Sequence, residues 1–199
     1  MRKVINCYTD NNPVINKKLK EVSVEEGMEI ATKLFQILNK GKDGIGLAAN
    51  QVGIDASVAV LNVREPIILI NPVIEEQWNE IDYYEGCLSY PKKCVHTKRY
   101  KNIIVKSAQS ESGWYFSGVE TGKDDQEQRL LEAVCVQHEI DHLMGKTIHD
   151  RKIDTTIKAE KKIGRNQKVL IACGPDSQVM KYKKAKSLLE NGWTLVEPS

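Results

Sequence analysis

Long apolar runs are missing from this chain of 199 residues. No stretch approaches the roughly 20 apolar residues that a membrane-crossing helix needs, so no membrane partner is expected. The N-terminal MRKVINCYTDNNP has neither the apolar stretch of a signal peptide nor the Arg/Ser richness of a transit peptide. These absences predict a cytoplasmic protein. Cysteine is sparse, at five residues, and no two of them stand as C-x-x-C. That spacing speaks against a zinc knuckle, and the odd number predicts no disulfide framework. Internal repeats and low-complexity segments are also lacking.

The length suits one domain, or one domain with an appendage. Net charge is +2, unevenly spread. Residues 151–199 hold 11 Lys and Arg against 5 Asp and Glu, a local +6, and the rest of the chain carries −4. An acidic body with a basic tail points to an anionic partner for the tail, against the plainer reading of a solvated lysine-rich helix. We expect a catalytic domain over residues 1–152 and a basic extension or small subdomain over 153–199.

Ser23 followed three residues later by Glu26 is a capping-box signal. Val24, Met28, Ala31, Phe35 and Leu38 recur at helical spacing, and Gly41 is positioned to end that helix. GIGLAANQVG follows as a tight connection, then SVAVLNV, IILINPV, NIIVKS and WYFSGV read as strands, with a polar loop at TGKDDQEQ. A second helix is expected from about Gln126 to Met144, stopped by Gly145. In the tail, KVLIAC reads as a strand, GPDS as a turn, KYKKAKSLLENG as a helix and WTLVE as a strand. This order predicts an α+β fold: mixed or antiparallel strands around a central helix, with an N-terminal helix and a C-terminal extension.

The central helix carries QHEIDH, residues 137–142. Residues i and i+4 share a helix face one turn apart, so His138 and His142 can aim at one ion. Glu139 beside them has the placement of a general base in an H-E-x-x-H site. Leu131, Val134 and Cys135 precede His138 by seven, four and three residues. They predict an apolar stripe on the histidine face, with Glu132 and Gln137 on a less apolar opposite face. The competing reading is a charged surface helix that happens to hold histidines. A catalytic metal needs a third protein ligand and an open position. His149 is available but lies beyond Gly145; Cys87, between a glycine and a leucine, is the better candidate.

Three stretches then stand together: GIGLAANQ at 44–51, EGCLS at 85–89 and QHEIDH at 137–142. In that order, without a gap, they resemble the G-x-G-x-A-A-x-Q, E-G-C-L-S and Q-H-E-x-D-H motifs of the peptide deformylase family, over roughly residues 1–150. The resemblance implies a metal-dependent hydrolase that removes the formyl group from the N-terminal methionine of a new polypeptide and releases formate. It implies that Cys87, His138 and His142 hold one divalent metal, Fe²⁺ expected, with Zn²⁺, Ni²⁺ or Co²⁺ able to replace it. Glu139 would move the proton; the Gln51 side chain and the Leu88 backbone N–H would donate to the oxyanion. Ile45, Leu131, Val134 and Cys135 are candidates for the methionine pocket. The substrate backbone would pair with Gly46 and with residues near Tyr90. Glu85, Arg99 and Asp141 would form an ion-pair cluster behind the ligands.

GIGLAA also fits a loose G-x-G-x-x-A dinucleotide fingerprint, but here a helix precedes and a strand follows, the reverse of what that motif requires. A metalloprotease is disfavoured because EGCLS offers a thiolate and no further His or Glu follows at protease spacing. A peptide- or ribosome-binding module without activity would have no need of Glu139. The loop YPKKCVHTKR puts Cys94 where a basic residue is common in the family. The lysines and arginines of the tail, Lys158, Lys161, Lys162, Arg165, Lys168, Lys181, Lys183, Lys184 and Lys186, suit rRNA phosphates, so a ribosome contact is expected there. A monomer is expected.

Overall fold

The computed structural model describes residues 3–41, 44–118, 125–153, 164–173 and 176–196. Of the expected loop TGKDDQEQ, residues 121–124 lie outside them and Gln126–Gln128 belong to a helix instead. Lys158, Lys161 and Lys162 of the tail also lie outside the described residues. The chain divides into two compact units, Met1–Ile81 with Arg99–Thr147, and Asp82–Lys98 with Ile148–Ser199.

In the first unit, helix α1 runs Val24–Leu38 and begins where the sequence says: Ser23 Oγ accepts the Glu26 N–H at 3.2 Å. It ends at Leu38 rather than at Gly41, with Asn39 as its C-cap. A three-stranded antiparallel sheet follows, β1 (Gly46–Ala48), β2 (Val58–Asn62) and β3 (Pro66–Ile70), in the order β1-β2-β3. The run VAVL of β2 is buried on both faces, which is why it reads as continuous rather than alternating. β4 (Val73–Cys87), β5 (Tyr90–Ser107) and β6 (Ser110–Ser117) make a second sheet in that order. Sequence reading missed β4: VIEEQWNEID is exposed on both sides for most of its length, so no apolar alternation marks it.

Helix α2 spans Gln126–Leu143. Gly145 at φ +73 takes the left-handed conformation that commonly closes a helix, and a Cβ there would stand 2.5 Å from the Lys17 backbone. The core of this unit packs α1 residues Ile30, Ala31 and Leu34 and sheet residues Leu47, Val58 and Val60 with α2 residues Ala133, Val136 and Ile140.

The second unit holds β7 (Lys168–Cys173), β8 (Asp176–Lys181), helix α3 (Tyr182–Leu189) and β9 (Thr194–Val196). Its sheet has the antiparallel order β8-β7-β9 around a small core of Val169, Ile171 and Ala185. The expected strand, helix and strand are present; β8 is an addition, where the sequence suggested a turn leading into the helix. One disulfide, Cys94–Cys173, joins positions 79 apart. The expectation of no disulfide framework did not foresee this single pair, because spacing along the chain is blind to residues that only tertiary structure brings together. Around it, Cys94 N–H donates to Asn191 O at 3.0 Å and Lys93 Nζ to Asn191 Oδ1 at 2.9 Å.

Candidate active site

Helix α2 is buried from Glu132 to Leu143 on every side. The expected contrast between an apolar histidine face and a less apolar opposite face does not become a contrast in burial: neighbours from several elements enclose the helix, and Glu132, Gln137 and Asp141 are partnered. Glu132 meets Arg64 at 3.5 Å. Gln137 donates to Tyr100 O at 2.8 Å and accepts the Tyr100 N–H at 3.0 Å, pairing with β5 as a strand residue would. Arg99, 2% exposed, donates to Asp141 Oδ2 at 2.6 Å. A buried guanidinium and carboxylate of this kind must pair, because either alone would be strongly destabilising there.

His138 and His142 lie one helical turn apart with ring centroids 4.9 Å apart and planes at 70°. Both are buried, as is Glu139 between them. Strand β1 reaches the same helix at Gly46. A Cβ on Gly46 would overlap the Glu139 carboxylate and stand 2.8 Å from Cys135 Sγ. Only glycine permits this approach.

The chain then makes a 3-10 turn, Ala49–Val52, and the buried Gln51 Oε1 accepts the Ala48 N–H at 2.8 Å. That bond fixes which way the amide faces: its carbonyl end is engaged locally and its NH₂ end is the one that can donate outward. Of the pocket candidates, Val134 and Cys135 are buried, Leu131 is half-buried and Ile45 is 38% exposed.

In the second unit, β4 ends on Cys87, Leu88 and Ser89 form the turn, and β5 begins at Tyr90. Glu85 is buried and accepts the Thr97 hydroxyl, which also reaches Tyr83 O. His149 packs edge-on against the Tyr90 ring at 4.8 Å, and burial pushes its pKa down. It is not among the metal-ligand candidates.

Among the described residues one group has a metal-binding donor set: Cys87, His138 and His142, with one ligand atom from each, all within 4.8 Å of one another. A thiolate with two imidazoles suits a first-row divalent ion, and three protein ligands leave a position for substrate or water, the pattern of a catalytic site. Residues that sequence reading did not single out are Asn50, Thr97 and Tyr100, all of which act through hydrogen bonds. A weak signal existed for the first, a polar pair Asn50-Gln51 closing an otherwise apolar run.

The model of the polypeptide deformylase family matches residues 4–158. A peptide deformylase of Dictyoglomus thermophilum is 39% identical over 155 residues, 76% of this chain and 94% of that protein. One of Syntrophobacter fumaroxidans is 34% identical over 161 residues, 74% of this chain and 86% of that protein. Among solved structures, the peptide deformylase of Thermotoga maritima aligns at a TM-score of 0.59 and 32% identity, over 77% of this chain and 98% of that chain. The Synechococcus elongatus peptide deformylase in complex with actinonin aligns at 0.61 and 30%, over 77% of this chain and 80% of that chain. With three motifs in order, a Cys/His/His donor set and this similarity along most of its length, the chain belongs to the polypeptide deformylase family, metal-dependent hydrolases that remove the N-formyl group from new polypeptides.

Proposed function

We propose that this chain deformylates N-formylmethionyl nascent peptides with Glu139 as the proton carrier and Cys87, His138 and His142 as ligands of one Fe²⁺ ion. The supporting observation is the grouping of that donor set with a carboxylate, Glu139, on the same helix as both histidines. A divalent ion held there supplies Lewis acidity and lowers the pKa of water. Glu139 takes a proton from the attacking water and gives it to the departing amine. The Gln51 NH₂ and the Leu88 N–H donate to the oxygen that gains charge as the formyl carbon becomes tetrahedral. Gly46 lies on β1, at the edge of its sheet, where an extended substrate backbone can add as a further strand. Ile45, Leu131, Val134 and Cys135 form the methionine pocket. Asp141, held by Arg99, keeps α2 in place behind the ligands, and Glu85 supports the strand that carries Cys87.

Residues 1–152 are the catalytic domain in this reading, and 153–199 an extension whose lysines contact rRNA. A cytoplasmic monomer working on emerging chains fits these roles, and no described helix is long and apolar enough to cross a membrane. The test is formate release from a formyl-Met tripeptide by protein prepared anaerobically with Fe²⁺, with Ni²⁺ as control. Turnover with either ion supports the reading; one bound metal per chain without turnover would sink it.

A further inference from the structure

Asn50 is fully buried beside Gln51, and its amide joins three segments distant in sequence. Nδ2 donates to His142 O at 2.6 Å and to Ile15 O at 3.1 Å. His142 O belongs to the last turn of α2, where carbonyls lack helical partners and must find others. Gly145 N–H also reaches it, at 3.0 Å. Two parallel bonds run nearby, Leu19 N–H to Leu143 O at 2.9 Å and Ile5 N–H to Gln51 O at 2.7 Å. The N-terminal segment, the turn bearing Gln51 and the end of α2 are thus laced together, with the Asn50 amide at the crossing.

This arrangement joins two parts of the site that lie far apart in sequence. Gln51 is the neighbour of Asn50, and His142 carries the carbonyl that Asn50 holds. We infer that Asn50 is a positioning residue that sets the separation between the Gln51 amide and the His142 imidazole; this rests on the roles given to Gln51 and His142 above. The position demands an amide. A carboxylate of the same shape has no donor and would face two carbonyl oxygens. Alanine would remove both N–H donors and leave the Ile15 and His142 carbonyls each one donor short in a buried place.

The experiment uses full-length protein loaded with Co²⁺, and compares Asn50→Ala, Asn50→Ser and Gln51→Ala, singly and with Gln51→Ala added to each Asn50 variant. Ser23→Ala, a loss of the α1 cap, is the control for stability alone. The expected result for Asn50→Ala is a fall in kcat of tenfold or more with KM within twofold, and a changed visible Co²⁺ spectrum. Ser23→Ala should leave both unchanged. Asn50→Ser keeps one donor and should recover part of both signals, and it serves if Asn50→Ala does not fold. Because Asn50 acts through Gln51, the double variant should be little worse than Gln51→Ala alone. An unchanged spectrum and kcat in both Asn50 variants, or losses that multiply in the double variant, would overturn the inference. If Gln51→Ala itself leaves turnover intact, the reading of the site fails instead, and the two failures are told apart.

Discussion

At the scale of single residues the site depends on close approaches that tolerate little change. Replacing Glu139 by Gln keeps the shape and removes the carboxylate proposed above as the proton carrier. Turnover should fall by about 10²–10⁴-fold while metal content, measured by elemental analysis, stays at one ion per chain. Gly46→Ala forces a methyl group onto the Glu139 carboxylate and Cys135 Sγ. Strand and helix must separate, so stability should drop by about 1–3 kcal/mol and formate release should be nearly lost. Urea unfolding beside a single-substrate assay reads both effects. The histidine pair and Glu139 were legible because an i, i+4 pair on a helix is a local fact. The facing of the Gln51 amide was not, since it depends on a bond from Ala48 that only the folded turn reveals.

Secondary-structure elements show where periodicity succeeds and fails. Helix α1 has a capped start that was readable, but its buried face is Gly27, Ile30, Ala31, Leu34 and Leu38, which shares only Ala31 and Leu38 with the apolar set read from spacing; Val24 and Met28 are exposed. Helix α2 has no exposed face over most of its length, so its polar residues could not be sorted by side; Glu132, Gln137 and Asp141 instead pair with Arg64, Tyr100 and Arg99 from other elements. The pair Arg99–Asp141 is the strongest example. Arg99→Met leaves Asp141 buried beside an apolar chain, and the loss should be about 3–5 kcal/mol. Chemical denaturation of the apo protein measures it, and a loss below about 1 kcal/mol, the range of exposed pairs, would show that solvent reaches Asp141. Strand β4 was invisible for the opposite reason, being exposed on both sides, and the hydrogen bonds of its sheet leave no mark on composition.

For the whole molecule the second unit carries the least expected features. Opening the Cys94–Cys173 disulfide, by reduction or by Cys94→Ser, should destabilise that unit by about 2–4 kcal/mol, seen as faster hydrogen exchange over β7 and β9. Exchange unaltered by reductant would mean that the hydrogen bonds to Asn191 suffice without it. Disulfides are uncommon in a reducing cytoplasm, so the bond would there follow the redox state. The same unit should respond to acid through His149. Burial lowers the pKa of His149 in the folded chain, whereas the unfolded chain takes up its proton near 6.5. Acid therefore favours the unfolded form, and stability is lost as pH falls from 6.5 to the lower folded pKa. An imidazole titration by NMR with a midpoint above 6.5 would contradict this.

The sequence by itself determined the family and the principal helices and named Cys87, His138 and His142 as candidate metal ligands, because motifs, local spacing and residue types with specific chemistry are all written along the chain. Tertiary structure alone decided the disulfide, the strand β4, the all-round burial of α2 and the lacing through Asn50. Each of those depends on which distant segments meet, and contact between distant segments leaves no periodic trace along the chain.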